Sequence, residues 1–354
     1  MRKERRFFKI TRRRTRSEGR RSPRKAWENT EPINTKQFIV RCQLSLVDTN
    51  SRRLFERQGY KIVGGHSGVK LCHWMRQKLL HGRPCYKEHF YGIESHRCLQ
   101  MSPTLEQCNL NCIFCWRIQN FSGWEFESVD EPEVILEKSI EAQKLLVSGF
   151  KGDERCDPKM WEESRNPNQV AISLTGEPTL YPRLNEFIEI CKSKDMTTFL
   201  VTNGTTPRAL EKLDPLPTQL YITVAAPNPD IYGKLCAPQS EKNWERLKRS
   251  MELLPSLDTR TVIRLTLVDG LNIGWEDEYS KLIEKAEPDF VEPKAYVFVG
   301  ASRERLTIEN MPSHETVKDF GGRLARRLGF ETVSEKADSR VVLLSSGKTS
   351  PKLQ

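Results

Sequence analysis

Between Cys108 and Cys115 the chain reads CNLNCIFC, three thiols separated by gaps of three and two residues. Structural zinc sites bring their cysteines in two pairs, whereas this is a single triplet. Three thiolates in so short a stretch cap three corners of a [4Fe–4S] cube and leave the fourth iron open to a small chelating molecule. A second set, Cys72, Cys85 and Cys98, recurs at intervals of thirteen. No single helix or hairpin brings such positions together, so separate segments must converge. With His66, His73, His81, His89 and His96 in the same window, these thiols complete a zinc site or hold a second cluster, and residue types leave both open. Cys42, Cys156, Cys191 and Cys236 are scattered and read as buried or idle thiols. Ten cysteines in a chain that opens without an apolar leader point to metal ligation rather than disulfides.

The elements that position these residues alternate. Apolar, β-branched runs occur at RCLQMSPTLE, QVAISLTG (169–176), TTFLVTNG (197–204), QLYITVAA (219–226), TVIRLTLV (261–268) and EPKAYVFVG (292–300), with helical periodicity after each. Six strand–helix units predict an α/β fold with a parallel sheet, fewer than the eight of a closed barrel, hence a partial (β/α)6 TIM-like barrel. Such sheets place chemistry after the strand C-termini. The cysteine triplet, TGEP, TNG, VDGLN and GASRERL all fall there. The expected divisions are a basic, disordered tail at 1–36, an extension at 37–96 that contributes the second cysteine set, the barrel at 97–330, and C-terminal strands and a tail at 331–354.

A triplet CxxxCxxC after a strand resembles the signature of radical S-adenosylmethionine (SAM) enzymes, in which the amino and carboxylate groups of SAM occupy the open iron. LTGEPTLYP resembles the GGE motif of that superfamily, with Thr175, Gly176, Glu177 and Pro178 at the motif and Glu177 facing the methionine ammonium. Thr202 and Asn203 are matched to ribose or carboxylate contacts, Phe114 to packing near adenine, and Thr223 to the fourth strand end.

The run from RQGYKIVGGHSGVKLCHWMRQKLLHGRPCYKEHFYGIESHRCLQMSP through CNLNCIFCWR resembles the tRNA 4-demethylwyosine synthase family. ISLTGEPTLYP, RLTLVDGLN and KAYVFVGASRERLTIENMPSHE continue the resemblance, over roughly 55–330. It implies that Cys72, Cys85 and Cys98 bind an additional [4Fe–4S] cluster and that the five histidines only shape the fold. It also implies condensation of pyruvate with 1-methylguanosine beside the anticodon of tRNA(Phe). A SAM-derived radical would take hydrogen from the N-methyl group, the resulting carbon radical would attack the pyruvate carbonyl, and loss of the carboxylate carbon and ring closure would follow. Lys87 matches the lysine proposed to hold pyruvate as a Schiff base, with chelation of pyruvate by the second cluster as the alternative. The family pattern carries Ser and Asp where this chain has Thr223 and Ala225. The chain is expected to be the stand-alone, archaeal-type form, a monomer that uses a separate ferredoxin or flavodoxin as electron donor.

The formal charge of +10 is concentrated. Residues 1–25 hold 13 Lys/Arg against 2 Glu, a net of +11 that leaves about −1 for the rest. That tail reads as a solvated, disordered segment, as an arm along a phosphate backbone, or more weakly as a transit peptide. Arg264, Lys294, Tyr296, Arg303 and Arg305 are the candidates for RNA contacts in the body. No run approaches a transmembrane helix, so a cytoplasmic enzyme is expected. Two competing readings are a methylthiotransferase-like two-cluster enzyme and a zinc-stabilised RNA-binding protein.

Overall fold

The structure, a computed structural model, describes residues 49–119, 126 and 128–353. The basic tail and Cys42 lie outside these residues. Ten strands form one sheet: β1 (Tyr60–Val63), β2 (Ser67–Lys70), β3 (Cys98–Ser102), β4 (Gln169–Ile172), β5 (Thr197–Thr202), β6 (Gln219–Thr223), β7 (Arg260–Leu267), β8 (Phe290–Ala295), β9 (Glu331–Lys336) and β10 (Val341–Ser345). Strands β3 to β8 are parallel and adjacent in chain order, the six that the sequence predicts. The β1–β2 hairpin adds antiparallel to β3, and β10 inserts antiparallel between β8 and β9. Among the described residues the sheet therefore has two edges, β1 and β9, and is an open barrel. The hairpin is absent from the sequence reading because its four-residue strands, YKIV and SGVK, carry little alternation.

The predicted helices appear at Pro132–Val147, Leu184–Ser193, Pro207–Glu211, Asn243–Leu253, Glu276–Ala286 and His314–Leu328. They cover one face of the sheet, where Leu200, Leu220, Ile222, Ile263 and Val291 pack in one core with Phe187, Leu247, Ile283 and Phe320. The alternate residues of the same strands point to the other face, as strand geometry requires. There Phe199, Tyr221, Val262, Phe290, Val341 and Leu343 pack against Tyr86, Phe90, Tyr91 and Ile93. Burial on both faces is why these strands read as unbroken apolar runs.

The short helix Tyr86–Tyr91 thus fills the concave inner face. Tyr91 stands at its centre, 5.9 Å edge-on from Phe199 and 5.9 Å from Phe290, with its hydroxyl donating to Glu292 at 2.6 Å. Lys352 and Leu353 bind to this plug. The Leu353 N–H donates to the Tyr91 carbonyl at 2.9 Å, and Lys352 Nζ donates to the His89 carbonyl at 2.7 Å. Among the described residues no helix is long and apolar enough to cross a membrane.

Candidate active site

Cys108, Cys112 and Cys115 lie on the loop that leaves β3. The loop is fixed by the end of the helix Pro229–Cys236, whose last carbonyls lack intrahelical partners. The carbonyl of Cys236 accepts from Asn111 N–H at 3.1 Å and that of Leu235 from Ile113 N–H at 2.9 Å. Burial holds the Cys108 and Cys115 thiols protonated, Cys108 up at about 12, while a hydrogen bond with the neighbouring Cys236 thiol, then burial, does so for Cys112. Arg117 is only 3% exposed and opposes this shift. Its guanidinium donates to the Leu110 and Glu106 carbonyls and hydrogen-bonds the Cys115 thiol.

The loop after β4 crosses beside the cysteines. Gly176 has φ +70°, and a Cβ there would fall 1.7 Å from the Thr104 carbonyl oxygen. The Glu177 N–H donates to the Gln107 carbonyl at 2.8 Å. Its buried carboxylate gathers the neighbouring strand ends. Oε1 accepts from the Thr179 N–H and hydroxyl and from Thr202 Oγ1 at 2.6 Å, and Oε2 accepts from Asn203 N–H at 2.7 Å. Burial nonetheless holds the Glu177 carboxyl above its ordinary range. Asn203 Nδ2 reaches Asn109 Oδ1 at 2.9 Å and the Cys108 sulfur at 3.9 Å, which ties TNG to the cysteine loop. Thr175 and Pro178 are buried in the same loop, whereas Phe114 and Thr223 are half-buried.

The second triad converges from three segments. Cys72 precedes the helix His73–His81, Cys85 precedes Tyr86–Tyr91, and Cys98 opens β3. Burial is the first cause that raises the Cys72 and Cys98 thiols, and each of them also feels Cys85. Lys87, on the helix that Cys85 caps, feels the charges of Cys85 and Cys98. Its Nζ lies 4.7 Å from the Tyr221 ring centroid and 5.0 Å from that of Phe199. Burial and then Arg264 lower the ammonium pKa to about 8.

Arg264 shares this inner face. It pairs with Glu292 at 3.2 Å, donates to the Tyr86 hydroxyl at 2.8 Å and covers the Tyr221 ring. Lys294 lies 5.1 Å from the Tyr86 ring centroid and donates to the Ser339 carbonyl at 2.7 Å. The Tyr296 hydroxyl donates to Ser302 at 2.9 Å, inside the protein. Arg305 donates to the carbonyls of Ile113 and Cys115. Of the five residues expected to meet RNA, Arg303 alone is exposed, its guanidinium 5.4 Å from the Phe298 ring centroid. The other four face inward because the strand pleat and the loop crossing direct them there.

Residues 102–283 match the radical SAM superfamily model, and residues 285–346 match the model for wyosine base formation. The S-adenosyl-L-methionine-dependent tRNA 4-demethylwyosine synthase of Pyrococcus horikoshii is 51% identical over 304 residues, covering 84% of this chain and 89% of the relative. This chain belongs to the tRNA 4-demethylwyosine synthase family. It is a radical SAM enzyme of the wyosine pathway, with a tRNA as substrate and with SAM and a [4Fe–4S] cluster as cofactors. A structure of TYW1 with a lysine–pyruvate adduct bound superposes with a TM-score of 0.80 at 37% identity, over 87% of this chain and 100% of that one. A crystal structure of archaeal TYW1 gives 0.72 at 35% identity, over 86% and 99%.

The donor sets suit such a cofactor. Each triad presents free thiols without a disulfide, and burial raises Cys72 and Cys98 in one and Cys108 and Cys115 in the other. A cationic metal core draws the protons from such thiols and replaces them. Thr179, Asn109 and Arg117, which brace the cysteine, TGEP and TNG loops, are missing from the sequence reading. Arg117 stands in the quoted CNLNCIFCWR, where its nearness to the third cysteine is the one available clue.

Proposed function

We propose that this chain condenses pyruvate with 1-methylguanosine beside the anticodon of tRNA(Phe), with two [4Fe–4S] clusters. Cys108, Cys112 and Cys115 hold the first, and Cys72, Cys85 and Cys98, from the 37–96 extension and the first barrel strand, hold the second. The observation that carries this reading is the placement of Lys87. Its amine lies on the inner face against Tyr221 and Phe199, on the helix that Cys85 caps. Lys87, Arg264 and Lys294 share that face with Glu292, three cations beside one carboxylate, which suits an α-keto carboxylate. The lysine–pyruvate adduct in the TYW1 structure supports the covalent form.

In this reading Lys87 condenses with the pyruvate ketone and releases water, so that the imine fixes the carbon that will be attacked. Arg264 and Lys294 face the carboxylate. When bound, the first cluster with SAM supplies the one-electron chemistry that generates a hydrogen-abstracting radical. Glu177 Oε2, which has one donor, receives the methionine ammonium through its remaining lone pair. Thr175, Gly176 and Pro178 shape that loop. Thr202 and Asn203 hold Glu177 while Asn203 reaches toward the cysteine loop, and Thr223 and Phe114 border the SAM pocket. The target base leaves its stack to reach this interior. The enzyme acts as a monomer and receives electrons from a separate ferredoxin or flavodoxin.

The test is anaerobic reaction of reconstituted protein with SAM, reductant and 1-methylguanosine-containing tRNA, with and without pyruvate, followed by mass spectrometry of the nucleosides. A tricyclic base that requires pyruvate is expected. In parallel, cyanoborohydride should trap pyruvate on Lys87 in the wild type and on no residue in Lys87→Ala. SAM cleavage with an unchanged base would overturn the substrate reading. Product formation by Lys87→Ala at the wild-type rate would overturn the covalent role alone and favour chelation at the second cluster.

A further inference from the structure

Strands β3 and β8 are the first and last of the parallel set, separated in the sheet by four strands. Their exit loops nevertheless meet. Three carbonyls of the cysteine loop, those of Ile113, Cys115 and Trp116, accept from a single short segment after β8. Arg305 Nε donates to Ile113 at 3.1 Å, the same guanidinium donates to Cys115, and the Ala301 N–H donates to Trp116 at 3.0 Å. The approach is close enough to require glycine. Gly300 has φ +60°, and a Cβ there would lie 2.3 Å from the Trp116 oxygen. The donating segment is itself held, because Ser302 accepts from the Tyr296 hydroxyl while its carbonyl accepts from the Arg305 and Leu306 N–H groups.

We propose that Arg305 is a positioning residue for the first cluster. From beyond the last strand of the parallel set it pins the carbonyls on either side of Phe114, and so keeps Cys112 and Cys115 at the separation a cube requires. The planar guanidinium fork serves two acceptors at once, which a lysine ammonium on a flexible stem does poorly. Backbone carbonyls at this depth need partners, and among the described residues no other donor reaches these two. Arg305 is therefore occupied with the loop and does not face a phosphate. This proposal rests on the assignment of Cys108, Cys112 and Cys115 as the ligands of the SAM-binding cluster.

The experiment compares reconstituted wild type with Arg305→Gln, Arg305→Lys and Cys112→Ala. The readouts are the electron paramagnetic resonance signal of the reduced cluster with and without SAM, the rate of iron release to a chelator, and the affinity for a tRNA transcript. Arg305→Gln should release the SAM-responsive cluster about tenfold faster, as loss of an outer-sphere partner does. Arg305→Lys should lie between it and the wild type, and tRNA affinity should stay within about twofold, in contrast to loss of a base or phosphate contact. Iron release at the wild-type rate in Arg305→Gln overturns the proposal, whatever the tRNA affinity. If that variant does not fold, a wild-type rate in Arg305→Lys overturns it by the same criterion. A SAM-responsive cluster retained by Cys112→Ala instead removes the ligand assignment on which the proposal stands.

Discussion

At the scale of the residue, the site depends on close crossings. Gly176 passes the Thr104 carbonyl at a distance no Cβ tolerates and does so at positive φ. Gly176→Ala must therefore push the TGEP loop away from the cysteine loop or adopt a strained backbone. A loss on the order of 1–3 kcal/mol is expected, read as a lower denaturation midpoint of the apo protein, with weaker SAM binding by the reconstituted one. An unchanged midpoint would show that the two loops part freely. The motif was visible in the sequence, and so was the acid at Glu177. Of its partners, Thr202 and Asn203 were named for ribose or carboxylate contacts, whereas Thr179 and the brace at Asn109 were not. Thr179 follows within two residues, but Asn109 meets Asn203 across 94 positions of sequence, and no local pattern encodes a meeting that the crossing of two loops creates. The same holds for Lys294 and Arg264, which read as surface cations until the pleat of β7 and β8 turns them inward.

At the scale of the element, the β1–β2 hairpin is attached through His66. This ring is 2% exposed, with Nδ1 2.6 Å from the Pro103 carbonyl and Nε2 accepting from the Asp130 N–H at 3.0 Å. Both contacts are met only by the neutral Nδ1–H tautomer. Burial lowers its pKa from the ordinary 6.5. An unfolded chain takes up a proton near that value and the folded chain does so only at lower pH, so stability falls as pH drops below about 6.5. Urea unfolding at pH 7.5 and 5.5 should show a steeper loss for the wild type than for His66→Asn. Equal slopes would place the proton uptake elsewhere. The six parallel strands and their helices were legible because apolar runs and 3.6-residue periodicity are written locally. The hairpin was not, since GGHSG takes its fold from contacts with Pro103 and Asp130 rather than from its own pattern. The thirteen-residue cysteine intervals proved to be two helix starts and one strand start, and only the convergence itself could be read from the spacing.

At the scale of the whole molecule, β3 joins the two cysteine triads, with Cys98 at its start and the Cys108 loop beyond its end. On the proposed two-cluster reading, removal of one triad should leave the cluster of the other in place. Reconstituted Cys72→Ala/Cys85→Ala/Cys98→Ala protein should hold about half the wild-type iron and still bind SAM at the remaining cluster. Wild-type iron content in that variant would leave the second cluster without its ligands. The helix that bears Lys87 also has a history in time. It is among the earliest parts of the described chain to be synthesised, yet the Lys352 contact that seats it comes from 263 residues later, and Val341 and Leu343 of β10 complete the wall around it. A nascent chain carries the lysine, the second triad and the first triad long before it carries their enclosure. The surroundings of Lys87 are therefore completed only once β10 and Lys352 have been synthesised, and until then the lysine waits in an unfinished fold.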